Sequence, residues 1–246
     1  SSEIIDDFAG QGVKLVIILD CGIKANEEIA HAREHGIDFI ICDHHVPDEE
    51  LPQAVAILNP KMPGSTYPCP HLSGCGVGFK CMKAFAQSNG IAQGELEGML
   101  DLVAVSIAAD IVPMVDENRI MAYYGLRRLN TNPNMGLRAI IRICNLTNRE
   151  ITISDVIFKI GPRINASGRM QSGKAAVDLL VSRDIADAYE RAKDIDQYNR
   201  DRKELDKRIT EEANAILSKR HEAESDKKTI VIFNKDWHKG IIGIVA

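Results

Sequence analysis

At 246 residues, 45% hydrophobic and 26% charged, the chain is neither disordered nor fibrous and has room for one large domain or two smaller ones. Its formal net charge of −5 excludes a generally basic nucleic-acid surface, so any such site has to be a local patch. No apolar stretch reaches membrane length, no signal-peptide pattern opens the chain, and the six cysteines form no CxxC pair, so a reducing cytoplasm is the expected location.

Val13–Asp20 (VKLVIILD), Ile37–Asp43 (IDFIICD) and Ala54–Asn59 (AVAILN) are apolar runs that each end in a polar residue. Helical periodicity fills Ala25–Glu34 between the first two, before a stop at Gly36. Strands separated by a helix predict βαβ units and a buried parallel sheet. Ligands collect beyond the carboxyl ends of such strands, which is where Asp20, Asp43 and Asn59 fall. Gly74-x-Gly76-x-Gly78 lacks a preceding strand and a Gly-Lys-Ser/Thr ending, so it is neither a Walker A loop nor a dinucleotide fingerprint. It predicts a tight turn opening a helix over Val77–Ala86, with close backbone packing beneath the strand ends. Cys69, His71, Cys75 and Cys81 stand near one another, but their spacing fits no structural zinc template.

From residue 95 the pattern is helical. Glu97–Ala109 is mostly apolar and ends at Asp110; Asn118–Leu129 and Gly136–Asn145 are amphipathic and Arg-rich. Ser154–Ile160 predicts a helix broken by Gly161-Pro162, followed by a loop with turn chemistry at Asn165-Ala166-Ser167-Gly168. Ser172 is placed to cap a helix through Val181. Asp184 to Arg220 contains no Pro or Gly and has sparse apolar positions, the pattern of a long helix that bridges domains or packs along one seam. A polar break over Ala223–Lys228 precedes a predicted strand at Thr229–Phe233.

The chemistry concentrates at Asp43-His44-His45, an unusual triplet directly after a strand. Imidazole with carboxylate suits zinc, manganese or iron, and carboxylate-rich sets suit magnesium and manganese. Asp20 and Asp110 stand at comparable element ends, where each alone reads equally as a turn former or a cap; with the double histidine they read as a metal site. Asp6-Asp7, the only early acid pair, has helical spacing and reads as a solvated helix face. In the Gly161–Arg169 block, Arg163 and Arg169 flank Asn165. Such residues either contact phosphate and a sugar or base edge, or fasten the loop to acidic neighbours.

Leu19-Asp20-Cys21-Gly22-Ile23, Cys42-Asp43-His44-His45 and Ala109-Asp110-Ile111-Val112-Pro113 resemble the second, third and fourth motifs of the DHH phosphoesterases. Leu72–Lys80 and Gly161–Met170 resemble the RecJ-type single-strand exonucleases of that family, and His238–Ala246 resembles the opening of the DHHA1 domain. The resemblance implies an α/β fold: a parallel-sheet DHH domain with a helical second half (1–182), a connecting helix (183–222) and the start of a second α/β domain (223–246). It implies a two-metal site for Mn2+ or Mg2+, with Asp20, His44 and Asp110 as ligands. Asp43 would be a ligand or orienting carboxylate, and His45 would face the scissile phosphate. Arg163, Asn165, Arg169 and His238 are then substrate-binding residues, favouring phosphate contact for the block. Single-stranded DNA is the implied substrate, cut from its 5′ end during repair and recombination, with single-strand-binding protein as a partner.

The family's first motif, an Asp-x-Asp pair after a strand, has no match. It is expected upstream of Ser1, and the second domain is expected to be truncated, so these 246 residues alone are expected to be inactive. Two rival readings are a DHH phosphodiesterase of short oligonucleotides or cyclic dinucleotides, and a non-catalytic nucleic-acid-binding scaffold. The RecJ-like Gly161–Arg169 block speaks against the first, and the retained Asp20, His44, His45 and Asp110 against the second.

Overall fold

The structure, a computed structural model, describes residues 2–221 and 229–245. Contacts divide the chain into two units, one of residues 1–134 with 151–157 and one of 135–150 with 158–246.

The first unit is built on a three-stranded parallel sheet, β1 (Leu15–Leu19), β2 (Asp38–Cys42) and β3 (Ala56–Leu58), in the order β1-β2-β3. Leu15 pairs with Asp38 and Leu19 with Cys42, so the strand ends are level. Side chains alternate between the faces of a strand. On β2, Phe39 and Ile41 join Ile5 of α1 (Ser2–Gly10) and Ile29 and Ala32 of α2 (Asn26–Glu34) in one core. Cys42 and Ile40 face the other way, onto Val77 and Phe79 of α3 (Gly74–Ser88) and Val103 and Ile107 of α5 (Leu100–Ala109). The expectation of a buried sheet holds for β2 and not for β1. As an edge strand, β1 keeps Leu15, Ile17 and Leu19 about half exposed, while Val16 and Ile18 on its other face pack against the first core. The short α4 (Gln93–Glu97) precedes α5, and α6 (Asp116–Thr131) packs along α5.

Helix α3 begins at Gly74, so the glycines are its first turn and not a turn preceding it. Ser73 caps it by accepting from the Gly76 N–H at 3.2 Å. With the cap upstream, no backbone reversal is needed at the glycines.

The second unit consists of α7 (Met135–Ile143), α9 (Gly161–Met170), α10 (Gly173–Leu180), α11 (Ile185–His221) and α12 (Lys239–Ile242). Helix α11 packs on α7, α9 and α10 through one seam of Ala188, Ala192, Ile195 and Asn199, the spacing of a single helix face. Ser172 caps α10 as its sequence predicts, accepting from the Lys174 N–H at 3.2 Å.

Two expectations fail here. Gly161-Pro162 does not break the chain into a loop: α8 (Ile153–Asp155) passes into a π-helical turn over Val156–Ile160, and that turn runs directly into α9. Proline sits in the first turn of α9, and Ala166 and Ser167 are buried on the helix face. The residues with turn chemistry, Asn165-Ala166-Ser167-Gly168, are therefore helical. Thr229–Phe233 is not a strand, and among the described residues all strands lie between positions 15 and 58. A strand exists only through its ladder, so an apolar run by itself does not make one. The polar break at 223–228 lies outside the described residues.

Candidate active site

The sheet brings its first two acids to one edge. The Asp20 N–H donates to the Cys42 carbonyl at 2.9 Å and the Asp43 N–H to the Leu58 carbonyl at 3.0 Å, so both acids continue the ladder just past the strand ends. Asp20 takes a left-handed backbone, φ 65°, which aspartate tolerates better than most residues. Asp110 arrives from elsewhere as the C-terminal cap of α5, and the next residue, Ile111, is also left-handed at φ 54°. That conformation is strained for a β-branched residue, and such strain gathers at functional sites.

His44 is the hub. Its ring is only 8% exposed, and Nε2 lies 3.2 Å from Asp20 Oδ1 and 3.4 Å from Asp110 Oδ2. On the other side of the ring, Nδ1 is 2.9 Å from the Leu72 carbonyl oxygen. A carbonyl only accepts, so Nδ1 carries the proton and donates it. In the neutral ring Nε2 is then left with its lone pair, the form that binds a metal.

Asp43 is 1% exposed and serves as an anchor. Its Oδ2 accepts from the Ile23 N–H at 3.0 Å; its Oδ1 accepts from the His44 and His45 N–H groups at 2.7 and 3.2 Å and from His45 Nδ1 at 2.7 Å. Burial pushes this carboxyl up, but those donors, led by the Ile23 N–H, outweigh it and hold Asp43 below the ordinary carboxylate value. With Nδ1 held by Asp43, His45 turns an exposed Nε2 edge to solvent, its ring 4.7 Å from that of His44. Asn59 closes the arrangement by donating to the His45 carbonyl at 2.9 Å.

Partial burial pushes the Asp20 carboxyl above its ordinary value; His44 opposes that shift, and the Asp110 and Asp43 charges add to it. The site thus gathers two carboxylates on one imidazole nitrogen. Asp20, His44 and His45 present donor atoms within 4.8 Å of one another, and Asp110 reaches the same His44 nitrogen. Two carboxylates and imidazole nitrogen form a set that divalent Mn2+ or Mg2+ accepts. Cys75, in the first turn of α3, is pushed up to about 11 by burial and by the Asp20 charge, so it remains a thiol.

The predicted substrate residues lie in the second unit. Arg163 is tied down, with Nε on Asp196 Oδ1 at 2.8 Å and Nη1 on the Lys159 carbonyl at 2.8 Å. Asn165 is exposed on α9. Arg169 and His238 are brought together at Gly240: Arg169 Nη1 donates to its carbonyl at 3.3 Å, and its N–H donates to His238 Nδ1 at 3.1 Å. The Leu72 carbonyl and the Ile23 N–H were not legible as site groups, since backbone atoms leave no mark in residue type. Asn59 was legible only as a residue at the sheet edge.

Comparison with known proteins gives the chain relatives in sequence and in structure. Residues 2–107 match the DHH family, N-terminal domain. The chain is 40% identical over 96% of its length to the single-stranded-DNA-specific exonuclease RecJ of Bacillus subtilis (strain 168) and 34% identical over its whole length to that of Escherichia coli (strain K12). It spans 29% and 44%, respectively, of those relatives' lengths. It superposes with a TM-score of 0.86 and 27% identity on the crystal structure of RecJ in complex with Mn2+ from Thermus thermophilus, covering 100% of this chain and 36% of that one. A second structure, exonuclease RecJ bound to manganese, gives a TM-score of 0.83 at 27% identity, covering 98% and 60%. With Asp-His-His on the strand edge and Asp20 and Asp110 closing on His44, residues 2–107 carry the DHH family, N-terminal domain, and the chain as a whole is similar to these RecJ proteins.

Proposed function

We propose that the protein carrying this chain is a metal-dependent exonuclease that hydrolyses single-stranded DNA from the 5′ end. The carrying observation is His44, whose Nδ1 is committed to the Leu72 carbonyl and whose Nε2 points between Asp20 and Asp110. In this reading those three residues hold the cation, Mn2+ or Mg2+. Bound divalent cations supply a nucleophilic water at neutral pH and positive charge against the transferring phosphate. Asp43 orients the site: its carboxylate fixes both histidine backbones and the His45 ring. With Nδ1 held by Asp43, His45 keeps its other ring nitrogen for the scissile phosphate.

The strand preference rests on the relatives named as single-stranded-DNA-specific exonucleases, and the 5′ polarity on the resemblance of Leu72–Lys80 and Gly161–Met170 to the RecJ type. Residues 1–182 are assigned to the DHH domain, 183–222 to the connecting helix and 223–246 to the opening of DHHA1. Arg169, with His238 and Asn165, is assigned to the DNA backbone. No helix among the described residues is long and apolar enough to cross a membrane. A cytoplasmic enzyme, receiving DNA from single-strand-binding protein, completes the reading.

The test is hydrolysis of 5′- and 3′-labelled single strands by the full-length gene product with Mn2+, beside its Asp110→Ala variant. Loss of several kcal/mol of charge stabilisation lowers turnover by roughly two to three powers of ten with folding retained. Unchanged turnover in Asp110→Ala, or preference for duplex, overturns the reading.

A further inference from the structure

Helix α2 carries the chain from the carboxyl end of β1 back to the amino end of β2, so its last turn lies at the sheet edge opposite Asp20. His31 in that turn and His35 at the cap stand four residues apart, on one helix face. Asp6 of α1 reaches both: its Oδ1 is 2.7 Å from His31 Nε2 and 3.5 Å from His35 Nε2. The two rings stand edge to face with centroids 4.8 Å apart, and one donor atom from each of the three residues lies within 4.8 Å of the others. The remaining ring nitrogen of His31 faces Glu34 Oε2 at 3.8 Å.

We propose that Asp6, His31 and His35 form a second metal site, separate from the Asp20 cluster, that takes a transition metal of the zinc class. Two imidazoles and one carboxylate suit Zn2+, Co2+ or Ni2+ better than Mg2+ or Mn2+, which favour oxygen-rich sets. Tetrahedral zinc with bonds of about 2.0–2.1 Å holds its ligand atoms roughly 3.3 Å apart, so small side-chain rotations bring these donors into place. Water fills the fourth position, since all three side chains are open to solvent on one side. Glu34 stands where an outer carboxylate steadies a ligating imidazole. The ion clamps α1 onto α2. That clamp matters because Ile5 is the single fully buried residue of α1, with Phe8 and Ala9 only partly covered.

The test is zinc binding by the 246-residue chain, counted by equilibrium dialysis with metal analysis, and Co2+ binding followed by visible absorption. His35→Gln and Asp6→Asn are compared with the parent and with His44→Ala, which removes the hub of the other site. The parent and His44→Ala should both show the tetrahedral Co2+ bands and a zinc-dependent rise in unfolding temperature. His35→Gln and Asp6→Asn should lose one zinc equivalent, or bind it at least tenfold more weakly, and lose the rise. Zinc stoichiometry and affinity unchanged in a folded His35→Gln overturn the proposal. Should that variant not fold, unchanged zinc binding by Asp6→Asn does so, as does disappearance of all Co2+ bands in His44→Ala.

Discussion

Gly74, at the first position of α3, lies against the Asp20 carboxylate so closely that a β-carbon on it would overlap Oδ1. The missing side chain therefore serves the acid on the opposite element more than the helix it starts. Gly74→Ala should turn the Asp20 carboxylate away from His44 while the helix, favoured by about 1 kcal/mol when alanine replaces glycine, still forms. Mn2+ affinity, measured by calorimetry or electron paramagnetic resonance, should fall at least tenfold, about 1.4 kcal/mol. Circular dichroism should be unchanged. Wild-type affinity in the variant would mean that Asp20 is not held by this packing.

Asp43 makes a different kind of contribution. Its oxygens accept from three backbone N–H groups and one imidazole in a nearly water-free place. Asp43→Ala strips those donors of their acceptor at a cost of about 1–3 kcal/mol for a buried group left unsatisfied. The loss should appear in urea unfolding with EDTA present, when no metal can account for it. Equal stability of parent and variant in EDTA would make Asp43 a metal ligand only.

The sheet edge was legible because each strand is an apolar run ended by a polar residue, a pattern that side-chain alternation and burial both enforce. What failed was local punctuation. Gly161-Pro162 and Asn165-Ala166-Ser167-Gly168 carry strong breaker chemistry, yet burial of Ala166 and Ser167 makes them helix. Asp6 reads as a solvated face on its own helix; only the packing of α2 beside it brings His31 to 2.7 Å. Periodicity reports one element at a time, and contacts between elements are invisible to it. The same limit hid the Leu72 carbonyl, which sets the His44 tautomer from 28 residues away.

A partly exposed cluster gives a pH prediction. Glu117 accepts from Lys80 Nζ and from the Tyr67 hydroxyl, both at 2.5 Å. Burial pushes the Glu117 carboxyl up, but Lys80 and Tyr67 outweigh it and hold the group below its ordinary value. Burial likewise lowers Lys80, and Glu117 and Tyr67 more than reverse it. A carboxyl depressed in the native state stabilises above its unfolded value, about 4.3, and that stability is lost as pH falls through the native value. A raised lysine stabilises below about 10.4 and is lost as pH rises through its native value. The stability difference between parent and Glu117→Gln should therefore be flat near neutrality and shrink at both ends. Denaturant melts across pH measure it, and a difference independent of pH would show that the cluster is not coupled to folding.

The two arginines of α9 should part company. Arg163 is committed to Asp196 and the Lys159 carbonyl, and Asp196 also binds Arg200 at 2.6 Å, so Arg163→Ala should lower the stability of its unit. Arg169 uses Nη1 on a 3.3 Å bond to the Gly240 carbonyl and, among the described residues, forms no ion pair. Under the proposed function it is the arginine assigned to the DNA backbone. A charge-assisted phosphate bond is worth roughly 1.5–3 kcal/mol, so Arg169→Ala in the full-length gene product should weaken single-strand binding by about one to two powers of ten. Phosphate contacts carry no base information, so the loss should be alike across sequences. The slope of log affinity against log salt should flatten by about 0.7 for the one contact removed. Mn2+ affinity should not change, because Asp20, His44 and Asp110 remain. Binding of several single strands at two salt concentrations, beside a manganese titration, decides the matter. A manganese affinity that collapses while the salt slope holds would place Arg169 in support of the metal site and end its assignment to phosphate.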